Sequence, residues 1–135
     1  MVDLRNHGLS ERHQQMDYES LAQDVHAYMK SVGINGQRNK VTLVGHSLGA
    51  KTAMAFSCMF PHLVNRLVSL DASPVDRSAY PHLNESSTRM IEEAIALGSL
   101  EDMPLVNAIK KIKTQVQDQV LQTALLFNLN ADGSL

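Results

Sequence analysis

The residues best suited to chemistry are Gly45-His46-Ser47-Leu48-Gly49. A bare G-x-S-x-G pattern recurs by chance, so its meaning depends on context. A nucleophilic serine of this type needs a sharp turn directly after a buried strand and directly before a helix. Val41-Thr42-Leu43-Val44 precedes the motif as an apolar, β-branched run, and Leu48-Gly49-Ala50-Lys51-Thr52-Ala53 opens a helix after it. Such a turn strains the serine backbone and brings helix and strand close together. Gly45 and Gly49 are expected to supply the room, with Ala50 keeping the next position small. The backbone N–H of Leu48 would then stabilise a developing oxyanion at the helix start. The alternative is a glycine-rich turn whose serine merely caps a helix, and the flanking strand and helix weigh against it.

A serine hydroxyl is a poor nucleophile without a histidine base and an acid to orient that base. In a strand–turn–helix site of this kind the chain order is serine, acid, histidine. Asp71 ends the next apolar run, Val64 to Leu70, and so should emerge at the same sheet edge as Ser47. It is the acid best placed by position, unless it serves only to hold the Ala72-Ser73-Pro74 bend. Asp76, beyond Pro74, is a weaker candidate. Only His82 follows Asp71, in a loop before the helical segment. His46 adjoins the serine but should pack beside it rather than act as its base, and His7 is a candidate to line the site. No histidine in the chain is a convincing base. The six histidines are dispersed and form no recognisable ligand set, so no metal is expected.

The elements that must hold these residues alternate in type. Val2-Asp3-Leu4 could end a strand, followed by a loop through Ser10. Asp17 has the character of an N-cap. Leu21, Val25, Tyr28, Met29 and Val32 recur at helical spacing until Gly33. Lys40 to Val44 and Val64 to Leu70 resemble buried parallel strands, joined by a helix from near Leu48 to Pro61. Past Pro74 the pattern becomes all-helical, with one helix from about Ser86 to Leu97. A second has Ser99 as N-cap, Asp102 three residues later, and apolar positions from Leu105 through Leu126. The first half thus has the alternation that builds a parallel sheet with crossover helices.

The remaining composition mainly excludes functions. A formal charge of -2 gives no footprint for a nucleic-acid backbone. Lys110, Lys111 and Lys113 should form a solvated helix face. The single cysteine, Cys58, rules out an internal disulfide, and its apolar helical neighbours suggest a buried small side chain. No apolar run is long enough to span a membrane, and the N-terminus has no signal or transit character.

Several blocks together carry a resemblance. They are Val2-Asp3-Leu4-Arg5-Asn6-His7-Gly8-Leu9-Ser10, Met16-Asp17-Tyr18 with Gln23-Asp24, Gly45 through Met54, and Leu67 through Asp76. In these the chain resembles the α/β-hydrolase family of abhydrolase domain-containing protein 11 and related bacterial short-chain acyl esterases. Leu125 to Leu129 resembles the end of that family's helical cap. The resemblance implies a partial α/β-hydrolase fold, with residues 1–76 forming the central core and 77–135 a helical cap, as one incomplete domain. It also implies a serine hydrolase acting on small acyl esters or thioesters without metal or cofactor. Some eukaryotic relatives transfer the acyl group to an alcohol instead, and eukaryotic members are often mitochondrial. On this mapping Ser47 is the nucleophile, Leu48 gives one oxyanion N–H, and Asp71 holds the position of the acid in some members. The family's histidine-glycine oxyanion loop would lie before Met1 and its catalytic histidine beyond Leu135. The isolated chain is therefore expected to be inactive, and its open sheet edges are expected to favour self-association or a protein partner. Ala50 stands where the family usually has glycine.

Overall fold

The computed structural model describes residues 1–36, 39–76, 79–80, 85–100 and 103–129, and it divides into two compact units, Met1–Val75 and Asp76–Leu135. In the first unit, helix α1 spans Tyr18–Ser31. The Asp17 carboxylate starts it by accepting the Ser20 amide at 2.7 Å. Its end is closed by paired bonds, from the Gly33 amide to the Lys30 carbonyl and from the Ile34 amide to the Met29 carbonyl. Gly33 takes the left-handed φ of +79° that this closure requires.

Strand β1 (Val41–His46), helix α2 (Leu48–Met59), a 3₁₀ turn (Pro61–Leu63) and strand β2 (Val64–Leu70) follow. The two strands pair in parallel, with Val44 opposite Val68 and His46 opposite Leu70. Val2-Asp3-Leu4 is not a strand. It has no ladder partner among the described residues, and Asp3 instead closes a loop. Its carboxylate accepts the Leu9 amide at 3.2 Å and its carbonyl accepts the Ser10 hydroxyl at 2.7 Å. Arg5 fastens this loop to α1 by a two-pronged ion pair with Asp24, at 2.6 and 2.7 Å.

The core of this unit gathers Ala22 and Met29 of α1, Phe56 of α2 and Leu63, with Val41 and Leu43 packed against them. Both helices therefore share a core with one face of the sheet. The opposite face is bare among the described residues: Val44 is 64% exposed, Val68 41% and Leu70 47%. The expectation of buried strands is not met: Gly45 is the one buried residue of the two strands, and Leu67 on the core side is 38% exposed, because a parallel sheet is buried only when layers cover both faces. Cys58 corrects a second expectation. It is exposed, on the side of α2 turned away from Phe56, since two helical residues place it about 200° around the axis.

The crossing of β1 and α2 depends on Gly45. A Cβ there would lie 2.3 Å from the Gly49 carbonyl oxygen and 2.5 Å from the Ala50 nitrogen. Ala50 is wholly buried. Gly49 does not share the task expected of it, for a Cβ on it would meet nothing within 4 Å.

The second unit consists of α3 (Glu85–Leu97), α4 (Leu105–Gln115) and α5 (Gln119–Asn128). Leu97, Leu100, Ala108, Ile112, Val116, Leu121 and Leu125 form its core. The single helix expected from Leu105 to Leu126 is two helices. The Asp118 carboxylate accepts the Val120 and Leu121 amides at 2.9 and 3.1 Å, starting a new helix where the apolar periodicity alone would continue the old one. Ser99 is not the cap of α4. That position is held by Pro104, while the chain leaves α3 through Gly98 at φ +71° and buries Leu100. Asp102 lies outside the described residues. Lys110 and Lys113 are exposed, with Lys111 half-buried. Among the described residues no helix is long and apolar enough to cross a membrane.

Two outcomes follow from these contacts. Gly45→Ala should lose about 1–3 kcal/mol of stability, whereas Gly49→Ala should be neutral or gain up to ~1 kcal/mol, as urea midpoints at constant slope will show. The Arg5 hydrogen bonds hold the Asp24 carboxyl below the usual carboxylate range. The stability this pair adds is complete above the unfolded carboxylate pKa of about 4 and is lost as pH falls through the lowered folded value. Urea melts at pH 7 and pH 3 should show a smaller acid loss in Asp24→Asn than in the wild type.

Candidate functional site

The turn between β1 and α2 places one residue, Ser47, in a backbone conformation that L-residues rarely adopt, with φ +50° and ψ −114°. The geometry is held from both sides. The Ser47 amide donates to the Leu70 carbonyl at 3.0 Å, carrying the sheet ladder one residue past the end of β1. The Ser47 carbonyl accepts from the amides of Ala50 and Lys51, both at 3.1 Å, and so begins α2. The hydroxyl makes no helix-capping bond and is exposed. A serine that only capped the helix would use that hydroxyl on an amide of the first turn. Leu48 is the first residue of α2, so its N–H has no acceptor within the helix and sits at the positive end of the helix dipole.

Asp71 also has a left-handed backbone, φ +55°, at the end of β2. Parallel pairing therefore brings Ser47 and Asp71 to the same carboxyl edge of the sheet, where open α/β sheets bind ligands. The Asp71 carboxylate lies 3.8 Å from Nε2 of His46, and both side chains are largely exposed. Sequence reasoning placed both residues near the serine but did not pair them. Strand ends place both residues at one edge of the sheet, but their contact depends on side-chain direction, which the sequence pattern does not carry.

His7 is held elsewhere. Its Nδ1 lies 2.9 Å from the Arg5 carbonyl, its ring is exposed, and among the described residues no hydrogen bond or ion pair joins it to Ser47, His46 or Asp71. Asp76 opens the second unit. His82 lies outside the described residues. An apolar groove of about 490 Å³ runs beside β1, lined by Leu4, Tyr28, Leu43, Gly45, His46 and Phe56 among others. Ser47 does not line it, so its space follows the free edge of β1 rather than the hydroxyl. Among the described residues no three His, Cys, Asp or Glu side chains are grouped to hold a metal ion.

The arrangement invites comparison with known proteins. Residues 1–120 match the family described as alpha/beta hydrolase fold. Over 128 residues, 95% of this chain, it is 32% identical to the mouse (Mus musculus) sn-1-specific diacylglycerol lipase ABHD11 and covers 40% of that protein. It is 33% identical over 105 residues to esterase YbfF of Escherichia coli, covering 71% of this chain and 40% of the relative. Ethanol acetyltransferase 1 of Wickerhamomyces anomalus is 39% identical over 94 residues, 70% of this chain and 22% of its own length. Among solved structures, a marine microorganism esterase superposes with a TM-score of 0.77 at 29% identity, over 98% of this chain and 50% of its own. The chain thus spans half or less of the length of each of these proteins. With its parallel strands, crossover helix and a family match over most of its length, the chain belongs to the alpha/beta hydrolase fold family.

Proposed function

We propose that this chain carries the nucleophile segment of a serine hydrolase that cleaves carboxylic esters or thioesters through an acyl-serine intermediate. The observation that carries the reading is Ser47, strained, exposed and with its hydroxyl unused by the helix it begins. In the reaction its Oγ attacks the acyl carbon and gives its proton to a base. The tetrahedral oxyanion is stabilised by the Leu48 N–H. Collapse then breaks the bond to the alcohol or thiol, which leaves with that proton, and water releases the acid by the same route.

Asp71 is assigned as the acid that orients the base and His46 as a group lining the site; His7, turned onto the Arg5 carbonyl, is left outside it. Among the described residues no histidine ring is hydrogen-bonded to Ser47, so the base is left unassigned and the chain by itself is assigned little or no turnover. Residues 77–135 are assigned as a cap that selects the acyl group. The acetyltransferase relative supports a variant of the same chemistry, in which an alcohol replaces water in the second step. The bare sheet face around Val44, Val68 and Leu70 supports a different reading, in which the chain binds a protein partner or a second copy through its open sheet.

Chemical rescue separates these readings. Imidazole added in solution can serve as the base, with 4-nitrophenyl acetate as substrate. Nitrophenolate release by the wild-type chain should rise with imidazole well above the uncatalysed imidazole rate, and Ser47→Ala should fall back to that rate. Equal release by wild type and Ser47→Ala at every imidazole concentration would contradict the hydrolase reading and leave the binding one.

A further inference from the structure

Lys51 breaks a local rule. It lies in the first turn of α2, where the helix dipole disfavours a cation. Departures of this kind concentrate where a residue has work beyond stabilising its own element. Its ammonium reaches away from the helix and donates to the Val75 carbonyl at 2.7 Å. Val75 ends the segment that starts at Asp71, so this bond ties the far end of that segment to the nucleophile helix. The near end is tied separately, by the Ser69 hydroxyl donating to the Ala72 carbonyl at 2.5 Å.

Asp71 has a left-handed backbone, which aspartate adopts more readily than most residues, so where its carboxylate sits depends on what holds the loop around it. The carboxylate itself is almost fully solvated, and its contact with the His46 ring, at 3.8 Å between exposed groups, is too weak to hold the loop. Among the described residues two hydrogen bonds bracket residues 71–75, and the longer-range one comes from Lys51.

We infer that Lys51 is a positioning residue: by clamping the Val75 carbonyl to α2 it sets the Asp71 carboxylate at the edge where Ser47 emerges. The inference rests on the assignment of Asp71 as the acid. Lys51 touches no reacting atom in this scheme. Its part is to make the serine's helix and the acid's loop one rigid piece.

The His46 ring, next to Asp71, reports on the carboxylate's position, so the test is NMR of the full chain labelled at histidine Cε1. Asp71→Asn defines the direction in which the His46 signal moves when the carboxylate is lost. Lys51→Met should move the same signal in the same direction, and Lys51→Arg, which keeps a cationic donor, should restore the wild-type position. The His26 ring stacks on Phe60 at 4.0 Å and should stay put in every variant, showing that α1 and α2 remain packed. The inference is overturned if Lys51→Met leaves the His46 signal unmoved, if Lys51→Arg shifts it as far as Lys51→Met, or if His26 moves along with it. Imidazole rescue at Ser47 can fail while these signals behave as expected, so the clamp and the hydrolase reading stand or fall separately.

Discussion

A serine with φ +50° is the constraint around which the first unit is arranged. That conformation disfavours itself, by an amount on the order of 1–3 kcal/mol, and it persists because its neighbours leave no alternative. The Ser47 amide is committed to the Leu70 carbonyl, and the Ser47 carbonyl is committed to the first turn of α2. With both backbone groups taken, the side chain is turned out to solvent. The tight crossing behind it exists because Gly45 has no Cβ to strike the Gly49 carbonyl, and because the small Ala50 is buried beneath.

The rest of the unit supports that turn from a distance. Phe56 and Leu63 fill the space between the two helices and the sheet, so α2 cannot pivot away from β1. Arg5 binds the first loop to α1 through Asp24, and α1 in turn packs Ala22 and Met29 into the same core. Among the described residues support comes from one side only. The other face of the sheet displays Val44, Val68 and Leu70 to water, an arrangement parallel strands rarely tolerate.

How much of this could be read from the sequence differs by element. The strand–turn–helix around Ser47 was legible because three signals coincide there: a β-branched run, small residues at fixed offsets, and a helical period. The Asp17 cap and the Gly33 stop were legible for the same reason, each being a local choice with a local cause. What escaped were effects that need a partner. Val2-Asp3-Leu4 has strand character but no ladder to join, and Asp3 spends its hydrogen bonds on a loop. The break at Asp118 was hidden because apolar spacing continues across it while a carboxylate caps the next helix. Cys58 was misread since composition reports a neighbourhood and burial depends on the direction of one side chain. In the site, Ser47 and Asp71 were visible as the ends of two parallel strands. The contact of His46 with Asp71 and the reach of Lys51 to Val75 depend on side-chain direction, which no spacing rule supplies.

The central proposal is that Ser47, and no other serine among the described residues, is presented as a nucleophile. The most direct measurement is to treat the folded chain with a fluorophosphonate, with imidazole present as base, and to locate the adduct by peptide mass spectrometry. The account predicts one phosphonylated site, on the peptide from Val41 to Lys51, at Ser47. An adduct spread over several exposed serines, or one confined to a serine outside that peptide, would contradict it.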